Sequence, residues 1–221
     1  MIYLDNGATS FHKPPAVYHA VQKAMFTCAN PGRGGHEPAM AAANVVYNCR
    51  ERAGKLFHCE PEQVVFTQNS TEALNIAIRG ILKPGDHVLT SSVEHNAVMR
   101  PLLQLTGVEY DRIPCNREGL MDPADIEPLI RPNTRLLVMA HGSNVCGSVQ
   151  NAKAVGEICW THGIAFVLDA AQTAGHYPVD FEAFQLSALC VPGHKGLLGP
   201  SGIGALLMRD KFAKALDPII L

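Results

Sequence analysis

Short apolar runs alternate with longer stretches of helical period along the 221 residues. The runs Val64–Thr67, His87–Thr90, Val108–Ile113, Arg135–Ala140, Ala165–Asp169 and Ile203–Met208 have the length and β-branched content of strands, and Leu189–Val191 is a shorter one. Between them, Pro38–Phe57, Thr71–Ile81 and Ala152–His162 repeat apolar residues at helical spacing, the first with Val45, Cys49, Ala53 and Leu56 on one face. Lys83-Pro84-Gly85-Asp86 and the Gly-rich stretch from Asn30 to Gly35 mark turns, and Asp122-Pro123 reads as an N-cap followed by a first helical residue. Strand and helix in alternation predict an α/β fold with a largely parallel sheet.

In such sheets ligands sit beyond the carboxyl ends of the strands. Four of those ends carry polar groups: Gln68 to Glu72, Ser91 to Asn96, His141 to Asn144, and Asp169 to Gln172. A chain built only for structure has little need of that.

Composition narrows the possibilities. With 18 basic and 20 acidic residues there is no electrostatic case for nucleic acid, and no Lys/Arg run marks a membrane-surface patch. No apolar run exceeds five residues, against about 20 for a membrane span. The opening Met1-Ile2-Tyr3-Leu4-Asp5 lacks the basic and apolar parts of a secretory signal, so a soluble, cytoplasmic protein is expected. Seven cysteines (28, 49, 59, 115, 146, 159 and 190) with no C-x-x-C pair predict reduced thiols, mostly in the core, and neither a disulfide framework nor a zinc site. Cys146, the one cysteine in a candidate site loop, reads as a small packing residue.

Val191-Pro192-Gly193-His194-Lys195-Gly196 presents a lysine in a glycine-flanked, apolar-bordered loop. Desolvation favours a neutral amine, which condenses with an aldehyde, and pyridoxal phosphate is held covalently in that way. A solvated loop lysine is the ordinary alternative. Asp169 ends an apolar strand, where a carboxylate needs a cation, and the cofactor's pyridine nitrogen is one that must stay protonated. Capping or metal ligation are the other readings, the latter without neighbouring ligands at the right spacing. Gln172 could donate to the ring oxygen, His95 could lie over the ring and move protons, and Asn144 could hold a substrate carboxylate. Ser70 and Thr71 open a helix, a place that suits a phosphate and equally an ordinary cap.

Together these segments resemble the class V aminotransferase superfamily and, within it, cysteine desulfurases and selenocysteine lyases. The resemblance runs through Tyr3 to Thr9, Asn30 to His36, Phe66 to Asn75, Glu94-His95-Asn96, His141 to Val145, Asp169 to Gln172, Gly193-His194-Lys195 and Gly199 to Gly204. It implies a Schiff base on Lys195, Asp169 beside the pyridine nitrogen, Gln172 at the ring oxygen, and His95 stacked on the ring as a catalytic group. It also implies phosphate contacts from Ser70, Thr71 and His194, with Asn144 helping to bind the substrate. The implied fold is the aspartate-aminotransferase type: a large domain with a mostly parallel seven-stranded sheet, a smaller domain, and a homodimer. On that pattern residues 1–221 correspond to the large domain, the first twenty or so forming an arm. The C-terminal small domain, with the catalytic cysteine, a carboxylate-binding arginine and a threonine, would lie beyond them.

The expected reaction is conversion of L-cysteine to L-alanine with sulfur passed to an enzyme cysteine as persulfide, and onward to a sulfur-acceptor protein. An aminotransferase, a selenocysteine lyase and a non-catalytic binding chain are the alternatives. Two departures stand out: Pro192 replaces a phosphate-binding serine, and Ser187 replaces an acidic residue.

Overall fold

The computed structural model describes residues 2–218. Seven strands form one sheet: β1 (Val64–Thr67), β2 (His87–Ser91), β3 (Glu109–Ile113), β4 (Thr134–Ala140), β5 (Ala165–Asp169), β6 (Ala188–Pro192) and β7 (Gly204–Met208). Their order is β1-β7-β6-β5-β4-β2-β3; β7 runs antiparallel to both neighbours and the other pairings are parallel. This is the mostly parallel seven-stranded sheet of the expected large-domain fold. Every predicted run is a strand, with ends displaced by a residue at most.

The middles of the central strands are apolar on both sides because both faces are covered. Leu137, Met139, Phe166, Leu168, Leu189 and Val191 face one cluster, which includes Phe57, Val155 and Cys159. The intervening Leu136, Val138, Val167 and Cys190 face the other, which includes Leu74, Ile78, Val98 and Leu102. Burying each large side chain contributes roughly 1.5–3 kcal/mol, so two-sided cover explains runs without alternation.

The helices are α1 (Pro15–Thr27), α2 (Glu37–Phe57), α3 (Ser70–Ile81), α4 (Asn96–Gln104), α5 (Ala152–His162) and the short α6 (Asp210–Ala213). Three lie outside the periodic segments picked from the sequence: α1, α4 and the short α6. α1 begins within the stretch read as an arm, runs past it and has no buried residue, so it carries no core-facing stripe. α4 contains Pro101, normally a helix breaker, and is held by the cap at His95 and by its buried Ala97, Val98 and Leu102. Asp122 caps a 3-10 turn, Pro123–Asp125, as its sequence suggests.

Two expectations need correction. On α2 the face bearing Val45, Cys49 and Leu56 is exposed and Ala53 is only partly buried. The helix instead docks through Ala39, Ala42, Gly54 and Phe57, because small residues let its backbone come close to the loop that follows it. The cysteines are not mostly core: Cys159 and Cys190 are buried, whereas Cys49 and Cys146 are exposed and the others half-buried.

Glu94 ties the ends of β2 and β4 together. Ala140 N–H donates to both carboxyl oxygens at 3.0 Å, and Ser91 Oγ donates to one at 2.5 Å. Burial pushes this carboxyl up to about 8, against those hydrogen bonds. As pH rises above the ordinary value of 4.5 the unfolded chain ionises while the folded carboxyl keeps its proton, so stability falls until about pH 8 and then levels. Glu94→Gln removes this slope. Urea unfolding across that range should show the wild type losing on the order of 5 kcal/mol relative to the variant; parallel curves would contradict it.

Candidate active site

All eight residues singled out from the sequence, Ser70, Thr71, His95, Asn144, Asp169, Gln172, His194 and Lys195, line one pocket at the carboxyl ends of the strands. Strand order explains the meeting. β2 connects outward to β3, the chain returns to β4 on the other side of β2, and β5 and β6 continue away from it. The crevice thus opens where the winding direction reverses.

Asp169 ends β5 and is 4% exposed. Its Oδ1 accepts from Ala171 N–H at 2.9 Å and from Ser70 Oγ at 3.3 Å. Burial holds the carboxyl above the ordinary carboxylate range, opposed by the Ala171 N–H and by the charges of His95 and Lys195. Half-buried Lys195 is shifted the other way: burial lowers its amine, while Asp169 raises it. An enclosed carboxylate faces an amine that gives up its proton more readily than a solvated one.

Backbone contact fixes Lys195 above β5. Gly175 has φ of 84°, and a Cβ on it would meet the Gly196 carbonyl at 2.4 Å; a Cβ on Gly196 would meet the Ala174 carbonyl at 2.2 Å. Only glycine at both places lets the lysine loop touch the turn after Asp169. Gly193 N–H donates to Ile203 O and Gly199 N–H to Gly193 O, closing the loop on itself.

α3 begins at Ser70 with Asn69 as its cap, the Asn69 carboxamide accepting from Glu72 N–H at 2.8 Å. The Ser70 and Thr71 N–H groups have no protein partner among the described residues. They point out of a 12-residue helix into the pocket, an arrangement that favours an anion. His95 caps α4 by accepting from Ala97 N–H on Nδ1 at 3.1 Å, so the neutral ring carries its proton on Nε2. Asn144 sits at the wall in the exposed part of the β4–α5 loop.

The N-terminal arm supplies contacts that the sequence did not reveal. His194 O accepts from Ser10 N–H at 3.0 Å, from Ser10 Oγ at 3.0 Å and from Thr9 Oγ1 at 3.1 Å. His194 Nδ1 lies 3.0 Å from the same Thr9 hydroxyl. Its imidazole is lowered by burial and by Lys195 and Lys13. Gln172 Nε2 donates to Gly7 O at 3.1 Å, so one of its two donors is spent on the arm. The signal for these contacts is weak, because hydroxyls and backbone carbonyls near a terminus have no spacing to betray them.

The departures are placed as well. Pro192 lines the pocket and offers neither hydroxyl nor N–H. Ser187 Oγ accepts from Phe166 N–H at 3.1 Å, at the start of the β5–β6 pairing in the middle of the sheet. Cys146 is exposed but its Sγ lies against Gly119, and Ser143 Oγ accepts from the Val145 and Cys146 N–H groups in the same turn. Hydrogen bonds from Ser143 and then Ser148 lower its thiol to about 7.

Residues 2–221 match the protein family described as aminotransferase class-V. A probable cysteine desulfurase from Methanothermobacter thermautotrophicus is 33% identical over all of this chain and 56% of its own length. The cysteine desulfurase IscS of Pectobacterium carotovorum is 35% identical over 95% of this chain and 54% of its own. The chain thus spans about half the length of these curated relatives. Among solved structures, the apo cysteine desulfurase of Thermococcus onnurineus matches the whole chain with a TM-score of 0.92 at 32% identity, over 56% of that protein. With the geometry and these similarities in agreement, the chain belongs to the class-V aminotransferase family of pyridoxal-phosphate-dependent enzymes.

Proposed function

We propose that these residues form the cofactor-binding large domain of an enzyme that takes sulfur from L-cysteine and leaves L-alanine. The observation that carries the reading is the pairing, in one pocket, of desolvated Lys195 with buried Asp169. Pyridoxal phosphate fits this donor set: a buried carboxylate in want of positive charge, an amine held below its ordinary value, and an unpartnered helix N-terminus. When bound, the group supplies an electron sink for a carbanion at the amino acid's Cα.

The chain's own groups do the rest. Lys195 Nζ would hold the group covalently through its aldehyde carbon and, when free, would carry a proton to or from the substrate Cα. Asp169 keeps the ring nitrogen charged. His95, with Nε2–H free to donate, would lie against the ring, and Gln172 would offer its remaining donor to the ring oxygen. The Ser70 and Thr71 N–H groups, the Thr71 hydroxyl and His194 would hold the phosphate, and Asn144 would hold the substrate carboxylate. Ser70 Oγ, bonded to Asp169, orients the carboxylate.

The sulfur must then pass to a cysteine thiolate. We place that thiol, the second domain and the partner contacts outside these 221 residues. α1 supports this: it exposes Tyr18, Val21, Met25 and Phe26, a face that a larger assembly would cover. The proposed assembly is a cytoplasmic homodimer that hands sulfur to an acceptor protein. Among the described residues no helix is long and apolar enough to cross a membrane.

Borohydride reduction of the cofactor-loaded chain, followed by peptide mass mapping, is expected to place the label on Lys195; label on another lysine, or none where absorbance shows bound cofactor, rejects the assignment. In deuterated buffer, Asp169→Ala should slow Cα-proton exchange of a bound amino acid on the order of 100-fold, and Gln172→Ala by far less. Equal losses would remove the special part given to Asp169. Supplied with cysteine, cofactor and reductant, the 221 residues alone should form no more alanine or sulfide than the Lys195→Ala chain. Turnover above that control would make Cys146 the acceptor to test first, by Cys146→Ala.

A further inference from the structure

Asn144 makes no side-chain hydrogen bond among the described residues, so its place at the pocket depends on the backbone that carries it. That backbone closes on itself: Ser143 N–H donates to Ser148 O at 3.0 Å, Gly147 N–H to Ser143 O at 3.1 Å, and Ser143 Oγ accepts from two further N–H groups. Residues 143–148 therefore behave as one rigid turn, whose position is set by whatever anchors it.

The anchor is Gln150, 4% exposed. Its N–H donates to His141 O at 2.8 Å, closing the neck of the loop. Its carboxamide clasps a second turn, residues 115–121, at both ends: Oε1 accepts from Met121 N–H at 2.9 Å and Nε2 donates to Gly119 O at 2.7 Å. Only this orientation of the amide satisfies both partners. The second turn is itself stiff, because Asn116 Oδ1 accepts from Glu118 N–H and Leu120 N–H, each at 2.9 Å. Contact between the turns is close: a Cβ on Gly119 would lie 2.4 Å from Cys146 Sγ, and Ser148 Oγ also donates to Gly119 O.

From this geometry we infer that Gln150 is a positioning residue for amino-acid binding, acting through the loop that presents Asn144. The inference rests on the reading of Asn144 as the ligand of the substrate carboxylate. An apolar residue at 150 leaves a buried N–H without its acceptor, and the turn is freed to sample positions in which Asn144 misses its target. The cofactor's own contacts lie on other loops and are untouched.

Binding of L-alanine and of pyridoxal phosphate to the cofactor-dependent protein, followed by absorbance, tests this in a double-mutant cycle. Gln150→Leu and Asn144→Ala should each weaken L-alanine about tenfold, the worth of one well-made hydrogen-bonding group, with cofactor affinity within about twofold of wild type. The double variant should be no weaker than Asn144→Ala alone. Losses that multiply to about a hundredfold, or a parallel fall in cofactor affinity, overturn the inference and leave the reading of Asn144 standing. If Asn144→Ala binds L-alanine normally, the reading fails and takes the inference with it. Should Gln150→Leu not fold, Gln150→Glu serves. Protonated, it can still donate to Gly119 O; ionised, it repels that carbonyl, so L-alanine affinity should fall from about pH 6 to about pH 8 relative to wild type. A pH-independent ratio, or the same pH dependence in an Asn144→Ala background, overturns the inference.

Discussion

An ionisable group enclosed at the end of a central strand makes demands on everything around it, and Asp169 is that group. Removed from water, its carboxylate is stable only with donors and a cation at hand. The Ala171 N–H and the Ser70 hydroxyl meet part of the demand, and the rest is left to positive charge in the pocket. Its enclosure depends on cover over both faces of the sheet. Its neighbour Lys195 depends on two glycines that let separate stretches of backbone touch. Disturbing the cover or the contact would change the proton equilibria of both groups together.

Much of this is legible in the sequence, for physical reasons that differ by element. Strands buried on both faces write themselves as uninterrupted apolar runs, so β4 and β5 are plain to see. The pocket residues stand at the ends of those runs, which is why polar groups there can be gathered from the amino-acid order alone. Pro101 hides α4, and the absence of a buried stripe hides α1, since a helix with no core contact has nothing to imprint on the sequence. The face of α2 is misleading because period locates apolar residues without saying whether anything covers them. Contact through alanine and glycine leaves almost no hydropathy signal.

What pattern reading passes over is the buried polar residue that works by hydrogen bonding to backbone. Glu94 joins two strand ends and Gln150 joins two turns, and each looks like an ordinary surface residue when read alone. Cys146 shows the reverse error. Its small size suggests packing alone, and it does lie against Gly119, yet the serine hydroxyls around it also ease its ionisation. In each case the deciding partner lies far off in sequence or is a backbone group, and neither leaves a motif.

The arm that grips His194 has a consequence for how the protein is made. Thr9 and His194 are 185 residues apart, so the arm leaves the ribosome long before the loop it fastens exists. Until that loop is made, the arm's hydroxyls have only water to bind, and His194 and Gln172 lack the partners the arm gives them. Closing so long a stretch of chain is entropically costly and is repaid only after the intervening sheet has formed. Completion of the crevice is therefore a late event in biogenesis, and the same clasp is among the first contacts that heat or a protease at the amino end would undo.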